Sequence, residues 1–321
     1  MKFKRVYLIW LMVFLSWSAS ANDNVKYYGY DWLDFYDVSN PSFSATDAFN
    51  SIYGAGYSAT NLNVVHSIKN LNLPICANGM CALNIQAGSG VTAGSPFVDI
   101  CPGAASNSEC QAAGSWKNIW KIIQDISTAK NKPSAIYFID EPFDVPALQT
   151  NKIYDAYQYS SYVCTVRQAM KNHGLSIPIY TILSYRHSQV PAYLNEIQNG
   201  APASACPLAD KSSPDWVGVD NYDWSLSDMW ETYNRVAPQS NKESPKWVLV
   251  PPSTASLGMN DEKLFSQIKL YRDFIGQYPN APVVYVMNWR FDRDVTEKRE
   301  VYKKSTAVLS CMANSIVLRL K

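Results

Sequence analysis

Eight times along the chain, a short run of apolar, β-branched or aromatic residues ends in polar ones, and stretches with helical spacing separate the runs. The runs lie at 25–31, 58–65, 80–86, 134–140, 177–184, 216–220, 246–251 and 282–289. Several are hydrophobic at nearly every position, as strands are when both faces of a sheet are covered. Helical patterns fall at 46–53, 116–129, 151–172, 191–198, 226–235, 261–278 and 300–318. In the second of these, Trp116, Ile119, Trp120, Ile123 and Ile126 recur at steps of three and four, which makes one apolar face. Ser44 or Thr46 can cap the first helix, and His173-Gly174 marks the end of the third. Asp261 and Glu262 open the sixth, where acidic side chains complement the helix dipole. Eight strands alternating with helices predict an α/β fold, a (β/α)8 TIM barrel in a single domain over 22–321. An open doubly wound sheet is the alternative. No Gly-rich loop follows the first run, which weakens the dinucleotide-binding version of that alternative.

The first 21 residues read as a signal peptide. Lys2, Lys4 and Arg5 precede an apolar run from 6 to 17, and Ala19-Ser20-Ala21 is a small-x-small cleavage pattern. The run is short for a bilayer span, so the expectation is a secreted or periplasmic chain with no membrane contact after cleavage. Removing three basic residues takes the formal net charge from +1 to −2 (1 minus 3). A near-neutral chain lacks the basic surface that nucleic acid binding demands, so no nucleic acid partner is expected. All seven cysteines fall after the signal, where an oxidising compartment pairs them. Cys76–Cys81 and Cys101–Cys110 are expected as short staples and Cys164–Cys206 as a longer tie, with Cys311 left over. The second staple would lie in 87–115, a Gly-, Ala- and Ser-rich insertion without an element of its own. His66, His173 and His187 are scattered and no zinc-ligand spacing occurs, so neither a metal nor a cofactor is expected.

In a barrel, the C-terminal ends of the strands converge on one face. Those ends read Tyr28-Gly29-Tyr30-Asp31-Trp32, Phe138-Ile139-Asp140-Glu141-Pro142, Ser184-Tyr185-Arg186-His187, Asp220-Asn221-Tyr222-Asp223-Trp224 and Met287-Asn288-Trp289-Arg290. Carboxylates and aromatic rings gather there while the strand interiors stay apolar.

The run IYFIDEPF (136–143), a carboxylate pair closing the fourth strand before a proline, resembles the strand-4 acid of TIM-barrel glycoside hydrolases. The Trp289 exit is similar to the aromatic floor such enzymes place under a sugar. The VDNYDW exit (219–224) is similar to the sixth strand of chitinase-like barrels. The resemblance implies a polysaccharide or oligosaccharide partner and carboxylate acid/base catalysis. Three departures stand beside it. Asp140 occupies the place of the Asn that precedes the acid in the large retaining clan. Val250-Pro251-Pro252-Ser253 stands where that clan carries its nucleophile. Of the chitinase-like DxxDxDxE only the Asp140-Glu141 pair is present.

Glycosidic cleavage needs a protonated carboxyl at the leaving oxygen and a second carboxylate for water or the oxocarbenium ion. Glu141 is the expected acid, with Asp140 beside it as a like charge that raises its pKa if both face the cleft. Asp220 and Asp31 are the candidate second carboxylates. Tyr222 is expected to hydrogen-bond the reacting centre, and Trp32, Trp224 and Trp289 to stack on sugar rings. Tyr185 and Asn288 complete the expected binding set, in a monomer. The competing readings are a helix cap or ion pair for Asp140 and Glu141, rim packing for Trp289, and a solvated turn for Asp292, Arg293 and Asp294. At the level of the whole chain, the competitor is a carbohydrate-binding barrel without catalysis. A serine hydrolase lacks its GxSxG elbow, and a nucleotide-dependent enzyme lacks its phosphate loop.

Overall fold

The computed structural model describes residues 24–31, 60–73, 76–77, 80–85, 119–141, 156–200, 212–239, 244–252 and 259–288. Eight strands lie within them: β1 Tyr27–Tyr30, β2 Asn63–Val65, β3 Cys81–Asn84, β4 Ala135–Asp140, β5 Ile179–Ser184, β6 Trp216–Asp220, β7 Lys246–Leu249 and β8 Val283–Asn288. All seven ladders are parallel, in the order β1-β8-β7-β6-β5-β4-β3-β2. The first strand thus pairs with the last, and the fold is the (β/α)8 barrel rather than the open sheet. Each expected run contains its strand, with ends trimmed where polar exit residues leave the ladder. The described helices are α1 Ile119–Thr128, α2 Ala156–Asn172, α3 Pro191–Asn199, α4 Leu226–Val236 and α5 Asp261–Gln277. The expected helices at 46–53 and 300–318, the insertion at 87–115 and the signal segment lie outside the described residues.

Between β1 and β2 the ring is sealed by other means than a ladder. Asn61 N–H and Leu62 N–H both donate to Tyr28 O, at 2.9 and 3.2 Å. Two side-chain amides supply what the short β2 lacks: Asn61 Oδ1 accepts from Tyr28 N–H at 2.8 Å and Asn63 Oδ1 from Tyr30 N–H at 3.1 Å. Backbone groups buried in a barrel wall must be paired, and here asparagines pair them. The approach is so close that a Cβ on Gly29 would lie 1.6 Å from Leu62 O. Only glycine fits at that point of the seam.

The side chains of the strands sort into two layers by alternation. Outward residues such as Tyr28, Leu83, Phe138, Val217, Leu249 and Val286 join the buried faces of the helices. On α1 those are Ile119, Trp120, Ile123 and Ile126, as the helical spacing predicts. Inward residues fill the barrel: Leu62, Val64, Ala82, Tyr137, Tyr180, Ile182, Trp216, Val248, Tyr285 and Met287 among them. Five rings form its floor. Tyr137 stacks on Tyr180 at 4.8 Å, Tyr180 on Trp216 at 5.8 Å, Tyr27 lies 5.5 Å from Trp216, and Tyr285 meets Tyr180 edge-on at 5.9 Å. Full burial of a ring of this size stabilises by about 1.5–3 kcal/mol. The floor is therefore a packed core, not a channel.

Helix ends follow local chemistry. Ser225 Oγ accepts from Asp228 N–H to open α4, and Asn260 Oδ1 from Lys263 N–H to open α5. Gly174, at φ 65°, ends α2 at the expected place. At the N-terminal end of the barrel, Arg167 donates to Asp215 Oδ2 at 2.9 Å, and the same oxygen accepts from Ile179 N–H. The expected Cys76–Cys81 disulfide is present, with Cα atoms 4.9 Å apart. Cys164 is also disulfide-bonded, and its expected partner Cys206 lies outside the described residues, as do Cys101, Cys110 and Cys311. Among the described residues no helix is long and apolar enough to cross a membrane.

Candidate active site at the barrel mouth

Further along the strands from the floor, the described inward places become polar on five of the eight strands. By alternation from Tyr27 and Gly29, β1 presents Asp31, and from Leu62 and Val64 the β2 exit presents His66. β3 presents Asn84, in register with the inward Tyr137. β5 and β6 present Ser184 and Asp220, which are in register with each other. β7 and β8 continue with Val250 and Met287, both fully buried and apolar. The described inward positions at the mouth are thus polar on β1, β2, β3, β5 and β6 and apolar on β7.

β4 reaches this layer by an irregularity. Its ladder with β5 shifts register between Tyr137 and Ile139, so that Asp140 pairs with Ile182, an inward residue. Glu141 follows with φ 43°, the only described non-glycine residue in the left-handed region. Its N–H still donates to Ile182 O at 2.8 Å, so the chain turns while held to β5. A side chain larger than hydrogen costs roughly 1–2 kcal/mol in that conformation. Such strain collects at functional sites because the surrounding structure must enforce it. Glu141 is half-buried.

Around this turn the carboxylates take distinct settings. Asp31 is fully buried, and its N–H donates to Asn288 O at 3.0 Å. His66 Nε2 stands 3.6 Å from Asp31 Oδ1. Below them, burial and then the charge of Asp31 push the Tyr285 phenol well above the usual tyrosine range, while its O–H donates to Leu62 O at 2.8 Å. Asp220 is half-buried at the end of β6 and its C=O accepts from Tyr185 N–H at 3.1 Å. Ser184 Oγ and His187 Nδ1 share a hydrogen bond of 2.6 Å. Neighbouring strands lie about 4.8 Å apart, so the exits of β4 and β6 are separated by roughly 9.6 Å of backbone.

The expected binding residues divide. Tyr185 is exposed and Tyr222 half-buried, both at the β5–β6 side of the mouth. Trp224 is not an open stacking face: only 4% of it is exposed, and its indole N–H donates to Tyr271 Oη at 2.8 Å. Asn288 is not a mouth residue either. It is fully buried, its position is in register with the outward Tyr30, and its Nδ2 donates to Gly29 O at 2.9 Å, tying β8 to β1. Asp223 forms a surface pair with Lys263 at 3.2 Å. Trp32, Trp289, Arg290, Asp292, Arg293 and Asp294 lie outside the described residues, and of Asp140 only the backbone is described. His66, Asn84 and Ser184 escape a reading that looks for acids and rings. Counting inward positions two at a time beyond each apolar run finds all three.

No protein-family model matches the sequence, and neither does any curated protein. Solved structures do resemble it. A fungal β-1,4-galactanase superposes with a TM-score of 0.54 at 11% identity, covering 89% of this chain and 99% of that one. An endo-β1,6-glucanase gives 0.54 at 11%, covering 92% and 77%. Xylanase 10B from Thermotoga maritima gives 0.52 at 11%, covering 92% and 98%. At this identity the likeness is one of fold, that of a TIM barrel.

Proposed function

We propose that the protein is an exported glycoside hydrolase acting on a polysaccharide, with Glu141 as general acid and Asp220 as the second carboxylate. The observation that carries this reading is the left-handed backbone at Glu141, placed where a register shift brings β4 to the mouth. An ordinary capping glutamate needs no such conformation. Protonation by Glu141 of the glycosidic oxygen, with Asp220 addressing the other side of the bond, meets the chemical demand of cleavage. Tyr222 lies two residues beyond Asp220 and is suited to hydrogen-bond the reacting sugar. Asp31 is the remaining acidic candidate, with His66 as its neighbour. The barrel neighbours named above are a β-1,4-galactanase, a xylanase and an endo-β1,6-glucanase, which makes galactan, xylan and glucan the first substrates to try. The disulfide at Cys76–Cys81 supports an oxidising compartment, in keeping with the signal-like N-terminus.

A second reading has its own observation: the β7 exit runs through the buried, apolar Val250, Pro251 and Pro252 and offers no carboxylate among the described residues. It makes the protein a sugar-binding barrel without turnover. Reducing-sugar release over a polysaccharide panel separates the two. Hydrolysis that falls by about 10²–10⁴ in Glu141→Gln supports the acid role. Binding without release in the parent selects the second reading, and unchanged release in Glu141→Gln removes Glu141.

A further inference from the structure

Two large apolar side chains are exposed among the described residues, Tyr185 at 37% and Phe265 at 38%. Phe265 lies on the outer surface of α5 and stacks on no described ring. Tyr185 is mounted. Its N–H donates to Asp220 O at 3.1 Å and its C=O accepts from Ser188 Oγ at 2.6 Å. Its ring meets the Trp224 indole edge-on, 5.5 Å between centroids at 88°. Trp224 is itself fastened to α5 at three points. Its N–H donates to Gln267 Oε1 at 3.0 Å, its C=O accepts from Gln267 Nε2 at 3.2 Å, and its indole N–H donates to Tyr271 Oη. The Tyr271 hydroxyl in turn donates to Asn221 O at 3.3 Å. Gln267 and Tyr271 are both buried.

This arrangement spends two buried side chains of a helix on fixing one indole, and the indole supports one exposed ring. A loop that needed only to be tied down would gain nothing from leaving that ring in water. A ring that must receive a ligand gains from being fixed, because ordering a free side chain on binding costs about 0.5–1.5 kcal/mol. The flat C–H face of a pyranose is the natural complement of such a surface. We infer that Tyr185 is the stacking platform of a pyranose subsite on the β5–β6 side of the mouth, and that Trp224, Gln267 and Tyr271 are positioning residues that hold it. The inference rests on the carbohydrate reading above and adds the subsite and its brace. The platform adjoins Asp220, so the sugar it holds lies next to the bond to be broken.

The test measures binding in the mature Glu141→Gln protein, so that turnover does not enter. The probes are fragments of β-1,4-galactan, xylan and β-1,6-glucan, titrated by calorimetry. Tyr185→Ala is expected to weaken the bound fragment about tenfold, and Tyr185→Phe to stay within about twofold, since the ring alone stacks. Tyr271→Phe, which frees the indole, is expected to weaken binding roughly threefold when Tyr185 is present and not at all in the Tyr185→Ala background. A loss of equal size in both backgrounds would reduce the brace to a structural tie. Unchanged binding in Tyr185→Ala would overturn the subsite while leaving the hydrolase reading intact. Failure of the Glu141→Gln protein to bind any fragment would overturn both. Tyr185 is exposed and its truncation should fold, so the test stands even if Tyr271→Phe is poorly stable.

Discussion

The two ends of the barrel interior are built from the same eight strands and obey opposite rules. On the floor, Tyr27, Tyr137, Tyr180, Trp216 and Tyr285 pack ring against ring, and the nearby ionic pair, Arg167 with Asp215, is hydrogen-bonded into the end of β5. At the mouth, further along the strands, Asp31, His66, Asn84, Ser184 and Asp220 take the inward places, and Glu141 is held in a conformation that costs free energy. The floor maximises burial; the mouth accepts strain and buried charge. The difference sets close packing at one end and polar groups at the other, and the proposed function puts its chemistry at the polar end.

Substitutions can break this contrast, beginning with the largest effect. Gly29→Ala drives a methyl group into the Leu62 carbonyl, a clash between main chains that no side-chain rotation relieves. The variant is expected to lose about 5 kcal/mol or fail to fold, read by chemical denaturation; a stable variant would mean the β1–β2 seam is looser than described. Trp216→Ala removes the ring shared by Tyr27 and Tyr180 and is expected to cost about 3–5 kcal/mol. Sugar binding at the mouth should persist in whatever fraction remains folded.

Alkaline pH sharpens the same comparison more gently. Burial, chiefly, raises the phenol pKa of Tyr285 on the floor and of Tyr159, Tyr233 and Tyr271 in the helix layer. In the unfolded chain these groups ionise near pH 10, while in the folded chain they stay protonated. Above pH 10 the unfolded state therefore binds fewer protons, and stability falls as pH rises, by up to about 1.4 kcal/mol per pH unit for each such phenol. Below pH 10 they contribute no slope. Spectrophotometric titration should find these tyrosines ionising only as the protein unfolds; reversible ionisation in the native state would mean that these phenols meet water.

The floor and the outer layer were legible in the sequence because they obey periodicity. Runs of apolar residues gave the eight strands, and the three- and four-residue steps of Ile119, Trp120, Ile123 and Ile126 gave the buried face of α1. The mouth was legible by residue type but less so by orientation. No residue pattern announces the register shift beside Tyr137 that pairs Asp140 with Ile182. Trp224 read as a sugar platform because indoles often are, yet its partner Gln267 lies 43 residues away and no local pattern announces it. Asn61 and Asn63 carried no signal at all, since their task is to replace ladder bonds that a short β2 cannot make.

Glu141→Gly puts the account to its sharpest trial, with the thermal midpoint and polysaccharide hydrolysis measured on the same sample. Glycine adopts φ 43° without penalty, so relief of strain less the entropy of a freer unfolded chain should stabilise by about 0.5–1 kcal/mol, a rise of roughly 1–3 °C. Hydrolysis should fall at least about a hundredfold. A lower midpoint, or cleavage at the parental rate, would contradict the claim that this turn is kept for chemistry rather than for the fold.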